Sequence, residues 1–281
     1  MGIKASPELL AAKRHEFGTD RPLIVQYFEW IGGLPSGHFG TSFVTRQDIS
    51  PIINDRLQVS LILVVLAMLL SLLVAIPFGT FAAVNHRKVS GLLVSGASQL
   101  GLAIPGFLAG ILLVALFAIQ LGWLPANGWT PPRNDFGDFL RRLILPVIAL
   151  ATVQAAVLTR YVRSAVLEVM HEDYLRTARS KGLKPGKALI KHGLRNAAIP
   201  VLTVASVQFA TLIIGAVVVE RVFVLPGLGS MPIDSVANRD LQTVQSLVMV
   251  LVTITLLVNL VVDLLYTVID PRIRLGRAAI A

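Results

Sequence analysis

Few residues in this chain combine the types and spacing that chemistry needs. There is no Gly-x4-Gly-Lys-Ser/Thr phosphate loop, no Gly-x-Ser-x-Gly elbow and no His-Glu-x2-His zinc pair. The chain thus lacks the usual P-loop means of hydrolysing ATP. Its five histidines, His15, His38, His86, His171 and His192, stand at no ligand spacing, and it has no cysteine. Disulfides and thiolate metal sites are excluded, and a histidine metal site is not expected. No catalytic, cofactor-binding or metal-binding residue is assigned. What remains are polar groups in apolar surroundings. Asp263 is the only acid well inside an apolar run, with Asn259 four residues earlier on the same helical face. Such a carboxylate is either part of a transport path or paired with a structural partner such as an Arg. Gln154 and Gln208, with Gln99, could line a polar path or hydrogen-bond between helices. The densest charge is Arg163–Pro200, which holds eight of the 25 Lys and Arg residues.

These groups must be positioned by helices that cross a membrane. The chain is 54% hydrophobic and only 15% charged, against roughly 25% charged in soluble domains. Five apolar segments follow residue 56, at about 57–84, 89–121, 143–162, 199–219 and 247–269. Each can satisfy its backbone hydrogen bonds as a helix, as lipid demands. The second, with Pro105-Gly106 near its middle, is longer than a core of about 30 Å requires, so it must tilt, kink or protrude. The expected architecture is an all-α, polytopic membrane protein with five transmembrane helices, in which residues 57–281 form the transmembrane domain.

Charge sets the orientation. The loop after the first segment, the stretch from Arg160 to Arg195 and the C-terminus hold 14 of the 25 Lys and Arg, against Glu168, Glu172, Asp173 and Asp270. By the positive-inside rule these regions face the cytoplasm. The net charge of +9 then reflects topology and contact with lipid rather than nucleic acid. Trp123 and Trp129 fall in an external loop, as in an interfacial belt. Residues 1–56 also lie outside. Ser6-Pro7-Glu8 starts a short helix that runs to about Phe17, with Gly18 as its stop. Asp20-Arg21-Pro22 starts another through Ile31, closed by Gly32-Gly33. Its Tyr27, Phe28 and Trp30 suit either the headgroup level of a bilayer or an ordinary small packed helix. Nothing upstream exports this segment, so a first transmembrane helix is expected to precede Met1, which would then not be the natural start.

Within Arg163–Pro200, the residues Leu167, Met170, Tyr174, Ala178 and Gly182 recur at three- and four-residue steps. That is one apolar stripe on an amphipathic helix, with a small-residue end that lets another surface approach. Lys184-Pro185-Gly186 makes a turn. A second helix, Lys187–Asn196, follows with Leu189, Ile190 and Leu194 on its apolar side and leads into the fourth apolar segment. Periodicity alone fits equally a basic loop resting on anionic lipid.

The residues themselves resemble a known family. Asp173-Tyr174-Leu175-Arg176-Thr177-Ala178-Arg179-Ser180-Lys181-Gly182-Leu183 and Lys191-His192-Gly193-Leu194-Arg195-Asn196-Ala197-Ala198-Ile199-Pro200 are similar to the cytoplasmic loop of ATP-binding-cassette importer permeases, best in the dipeptide/oligopeptide/nickel branch. The general motif there is Glu-Ala-Ala, three residues, then Gly. Here Arg176-Thr177-Ala178 stands in its place, with Gly182 at the right spacing. The Gly122–Pro125, Val219–Phe223, Pro226–Gly229 and Asn259–Arg274 stretches resemble further parts of such permeases. Asp20-Arg21-Pro22-Leu23 through Phe39-Gly40-Thr41-Ser42 resembles their external segment after a first helix.

The resemblance implies a non-enzymatic permease subunit in a bacterial inner membrane. It would form half of a pore with a second homologous permease. Two cytoplasmic ATPase subunits would bind ATP and Mg²⁺, and an external binding protein would deliver di- or oligopeptides. The loop 163–198 would be a coupling hairpin, with Asp173, Tyr174, Arg176, Ala178, Arg179 and Gly182 meeting the ATPase. Replacing Ala178 or Gly182 by Trp is then expected to uncouple ATP hydrolysis from uptake. The same branch takes nickel, glutathione and certain sugars. An autonomous carrier or channel is the alternative from another class.

Overall fold

The computed structural model describes residues 7–16 and 20–269; Ser6, Phe17, Gly18 and the C-terminal Asp270–Arg277 lie outside them. Among the described residues the regular structure is helical, apart from one isolated antiparallel bridge between Thr41 and Asp48. In chain order the helices are α1 (Pro7–Glu16), α2 (Leu23–Gly33), α3 (Ser50–Val84), α4 (Val89–Ala103), α5 (Gly106–Leu113), α6 (Phe136–Met170), α7 (Asp173–Ser180), α8 (Pro185–Ala188), α9 (Leu194–Val222), α10 (Ser230–Ala237) and α11 (Leu241–Ile269). A π-helical stretch, Val114–Gln120, extends α5, and another, Leu189–Gly193, joins α8 to α9.

Among the described residues four helical runs are long and apolar enough to cross a membrane: Ser50–Val84, Phe136–Met170, Pro185–Val222 and Leu241–Leu265. The second expected segment is a broken pair, Val89–Ala103 and Gly106–Gln120, bent by 97°; counted as one span, it makes five. Pro105 lacks a backbone N–H, and Ile104 before it is extended, at φ −90° and ψ 116°, as a residue preceding proline prefers. The excess length of this segment is thus resolved by a sharp kink.

The chain divides into two units: Met1–Leu57 with Ser230–Val252, and Gln58–Gly229 with Thr253–Ala281. In the larger unit α6 is the central helix. It packs on α9, α4 and α5 and is the most buried of the spans, whereas α11 is the least. Leu63, Leu145, Leu158, Val166, Val219 and Phe223 are fully buried in its core. The α3–α6 crossing is close because Gly79 has no side chain: a Cβ there would lie 2.6 Å from that of Val162. Small residues serve this purpose where lipid supplies no hydrophobic drive between helices. Ser71 adds a hydrogen bond across the same pair, from Oγ to the Ala151 carbonyl at 3.2 Å. An apolar cavity of about 460 Å³ lies among Leu70, Val74 and Phe78 of α3, Val94 and Gly101 of α4, and Ala155 of α6.

Glu220, near the end of α9, is buried and gathers the loop that follows. It accepts from Ser60 Oγ of α3 at 2.5 Å and from the Gly229 N–H at 2.8 Å. Ser60 Oγ in turn accepts from the Leu228 N–H at 2.8 Å. Gly227 leaves room for the carboxylate, which a Cβ would overlap. Buried charge persists only where it is hydrogen-bonded in this way.

In the smaller unit, Asp240 immediately precedes α11. Its carboxylate accepts from Thr243 Oγ1 at 2.7 Å, Ser42 Oγ at 2.5 Å and the Phe43 N–H at 3.2 Å. Ser246 Oγ donates to the Phe39 carbonyl at 2.6 Å, and the Phe39 N–H donates to Ser50 Oγ at 2.8 Å. The Phe39–Ser50 loop is stapled in this way to the first turns of α11. Burial pushes the Asp240 carboxyl up, but the hydrogen bonds from Ser42, Thr243 and the backbone of Phe43 and Thr243 outweigh it and hold the group below the usual carboxylate range.

Candidate functional site

The charged hairpin is built by interrupting one helix and bulging another. α6 stops at Met170, and Glu172, extended at φ −67° and ψ 142°, caps a new helix rather than continuing the old one. Asp173 in the first turn of α7 and Arg179 in its last turn both complement the helix dipole. α7 ends in a Schellman motif: the Gly182 N–H donates to the Arg179 carbonyl at 3.0 Å and the Leu183 N–H to that of Ala178 at 3.2 Å. Gly182 sits at φ +89°, with nothing within 4 Å of where a Cβ would stand, a conformation that disfavours any L side chain. Pro185 then opens α8 at its first turn.

The expected single stripe is not formed. Leu167 and Met170 belong to α6, where they pack half-buried on the core. On α7 the inward residues are Leu175 and Ala178, both buried. Tyr174 is exposed, and Gly182 lies past the helix end. The cause is the break at His171-Glu172, which resets the helical phase. Ala178 therefore packs on the bundle, and Gly182 is a capping residue. The outward face of α7 is Asp173, Arg176, Thr177 and Ser180, flanked by Tyr174 and Arg179.

The second arm leads into the fourth segment as expected, with a π-turn inside it: Pro185–Val222 is one continuous run. That turn keeps Leu189 buried and turns Ile190 out to 70% exposure. Gly193 is the point of closest approach: a Cβ there would lie 2.6 Å from Leu189 Cδ1, 3.1 Å from Val169 Cγ1 and 3.3 Å from Leu175 Cδ1. α6, α7 and the π-turn thus meet on one glycine. At the base of the hairpin, Glu168, Glu172, Tyr174, Asn196 and Pro200 line a hollow of about 390 Å³.

The polar residues within the spans are not brought together. Gln154 is buried on α6, its Nε2 without a hydrogen-bond partner. Gln208 is half-buried on α9, and Gln99 and Asp263 are exposed on α4 and α11. Among the described residues no hydrogen bond joins them. Leu175, Gly193, Glu220 and Asp240 organise the structure, and sequence reasoning assigns none of them a role. Asp240-x-x-Thr243 before an apolar run is a legible capping pattern, and an acid ahead of Pro226-Gly227-Leu228-Gly229 is a weaker signal for the Glu220 clamp.

Known proteins are similar to this chain. Residues 75–275 match the family model of the binding-protein-dependent transport system inner membrane component. The oligopeptide transport system permease protein AppB of Bacillus subtilis (strain 168) is 38% identical over 280 residues, covering 97% of this chain and 89% of that protein. The di/tripeptide transport system permease protein DppB of Pseudomonas aeruginosa (strain UCBPP-PA14) is 38% identical over 291 residues, covering 96% and 87%. The glutathione transport system permease protein GsiC of Salmonella paratyphi A (strain ATCC 9150 / SARB42) is 39% identical over 273 residues, covering 97% and 87%. Among solved structures, the MetNI methionine ABC transporter in an inward-facing form aligns with a TM-score of 0.65 at 15% identity, covering 78% of this chain and 96% of that one. An amino acid ABC transporter aligns with a TM-score of 0.55 at 18% identity, covering 77% and 93%. These structures share the fold. With the family model spanning most of the chain, and relatives this similar over nearly all of it, the chain belongs to the family of binding-protein-dependent transport system inner membrane components, and it is a multi-pass permease.

Proposed function

We propose that this chain is a non-catalytic half of the pore of an ATP-driven importer for short peptides, and that α7 receives the motion. The observation that carries this is the rigid seating of α7. Leu175 and Ala178 anchor it in the core, Gly193 closes it against α6 and the π-turn, and its outward face is left polar and exposed. A force on that face passes into two spanning helices at once, α6 and α9. Asp173, Arg176, Thr177 and Ser180, with Tyr174 and Arg179 at the flanks, form the contact with a cytoplasmic ATPase. Charges of both signs at its edge set register. ATP and Mg²⁺ are bound by two such ATPase subunits, a second homologous permease completes the pore, and an external binding protein delivers cargo. The drive is the difference in the ATPase's affinity for the two pore states. The peptide reading is supported by relatives named for oligopeptide and di/tripeptide transport. A glutathione transport relative of similar identity is consistent with it, glutathione being itself a short peptide.

Thr177→Trp and Ser180→Trp place bulk on the outward face without touching the core. Both variants are expected to insert normally and to leave ATP hydrolysis uncoupled from uptake of labelled di- and oligopeptides in cells lacking the native gene. Normal uptake in both variants would remove α7 from the ATPase interface. Uptake by the purified chain alone in liposomes would replace the importer with an autonomous carrier.

A further inference from the structure

Helix α2 leaves Leu23, Ile24, Tyr27 and Phe28 largely uncovered, while Trp30 and Ile31 near its end are half-buried. It contains no buried residue. Leu23, Ile24, Tyr27 and Phe28 are 82%, 67%, 53% and 65% exposed, and at 100° per residue they share one side of the helix. The opposite side carries Gln26 and Glu29, and both are satisfied within the segment. Glu29 forms an ion pair with Arg21 at 2.6 Å, and Gln26 Nε2 donates to the Arg21 carbonyl at 2.7 Å. The helix is thus amphipathic, with its polar side closed on itself and its apolar side lacking a partner.

Its position in the chain identifies what covers that side. The Gly33 carbonyl at its end accepts from the His38 N–H at 3.0 Å. The next residue, Phe39, is hydrogen-bonded to Ser246 on α11, one residue before the apolar run that starts at Leu247. Six residues span Gly33 to Phe39, a reach of at most about 20 Å. The end of α2 is therefore tethered at the mouth of a membrane span, on the side that the positive-inside rule puts outside. Tyr beside Leu, Ile and Phe on one face is the composition of a helix that lies in the interface plane. That face carries no Lys or Arg, so it requires no anionic headgroup.

We infer that α2 is an interfacial anchor, lying along the outer leaflet with Leu23, Ile24, Tyr27 and Phe28 embedded at the boundary between headgroups and acyl chains of zwitterionic phospholipid. The inference rests on the chain crossing a bilayer in the orientation that its charge distribution gives, and it stands or falls independently of the importer reading. The absence of cysteine makes a clean test possible. Single nitroxide labels are placed at Ile24→Cys, Phe28→Cys and Glu29→Cys in the full chain, reconstituted in phosphatidylcholine nanodiscs. Collision rates are measured with oxygen, which partitions into lipid, and with a water-soluble nickel chelate. The expected result is an oxygen-to-nickel ratio several-fold higher at positions 24 and 28 than at 29. Equal ratios at all three sites would place α2 in water and overturn the inference. Protection of 24 and 28 from both reagents would mean that protein covers the face, and would overturn it equally.

Discussion

Gly193 and Gly182 lie on the same hairpin and are glycine for different reasons. Gly193 is glycine because three side chains crowd its Cα. Gly193→Ala is expected to lower stability by about 1–3 kcal/mol, in the range of overpacking, read as a lower thermal midpoint of the purified protein. Gly182 has open space but a left-handed backbone. Gly182→Ala should cost only about 1 kcal/mol and leave the core intact. A Trp at either Ala178 or Gly182 would disturb the hairpin itself, so neither substitution isolates an ATPase contact. Asp240 makes a prediction of a different kind. Its folded pKa is depressed, so its contribution is fully present above the unfolded value of about 3.9. It is lost as pH falls through the lower folded value. Proteolysis of the Phe39–Ser50 loop should therefore rise below about pH 4. In Asp240→Ala the loop should be cut readily at neutral pH, and the pH dependence should flatten.

At the scale of elements, the apolar runs are legible because lipid leaves a spanning chain little choice but helix. Helix phase is not. The stripe from Leu167 to Gly182 reads as continuous because the residues at the His171-Glu172 break carry no proline or glycine. The π-turn at Leu189–Gly193 likewise has no sequence mark beyond Gly193, and periodicity places Ile190 on the wrong side. The charged hairpin itself is visible as an island of charge, although which of its faces is exposed depends on packing that no local pattern encodes. The bend at Ile104-Pro105 is one of the three ways in which excess length can be accommodated. It is held by more than proline, because α5 packs on both α6 and α9. Pro105→Ala is therefore expected to preserve it. Spin labels at Gly96→Cys and Leu116→Cys should remain well short of the roughly 30 Å that a straight helix would give. A distance near that value would show that proline alone makes the kink.

At the scale of the molecule, α11 is the span with least cover, and it carries Asn259 and Asp263 exposed one turn apart. An exposed carboxylate in an apolar helix is costly unless another protein group meets it. Under the proposed pore of two permeases, Asp263→Asn should reduce recovery of the assembled complex several-fold by co-purification, with the choice of peptide unchanged. A changed substrate profile at normal assembly would move Asp263 into the transport path instead.

The π-turn between α8 and α9 has a consequence for how the hairpin tolerates change. A single-turn π segment amounts to one residue inserted into an α-helix. Deleting Ile190, already turned out of the core, would let the run close as regular α-helix. Because the π-turn holds its extra residue as a local bulge, everything beyond it would stay near its original angle and height. Val201, Ala205, Phe209 and Leu212, all buried, would keep their contacts. At this one point the gene should accept the loss of a codon far more readily than elsewhere in the span, because the turn keeps a spare residue that the packing beyond it does not need.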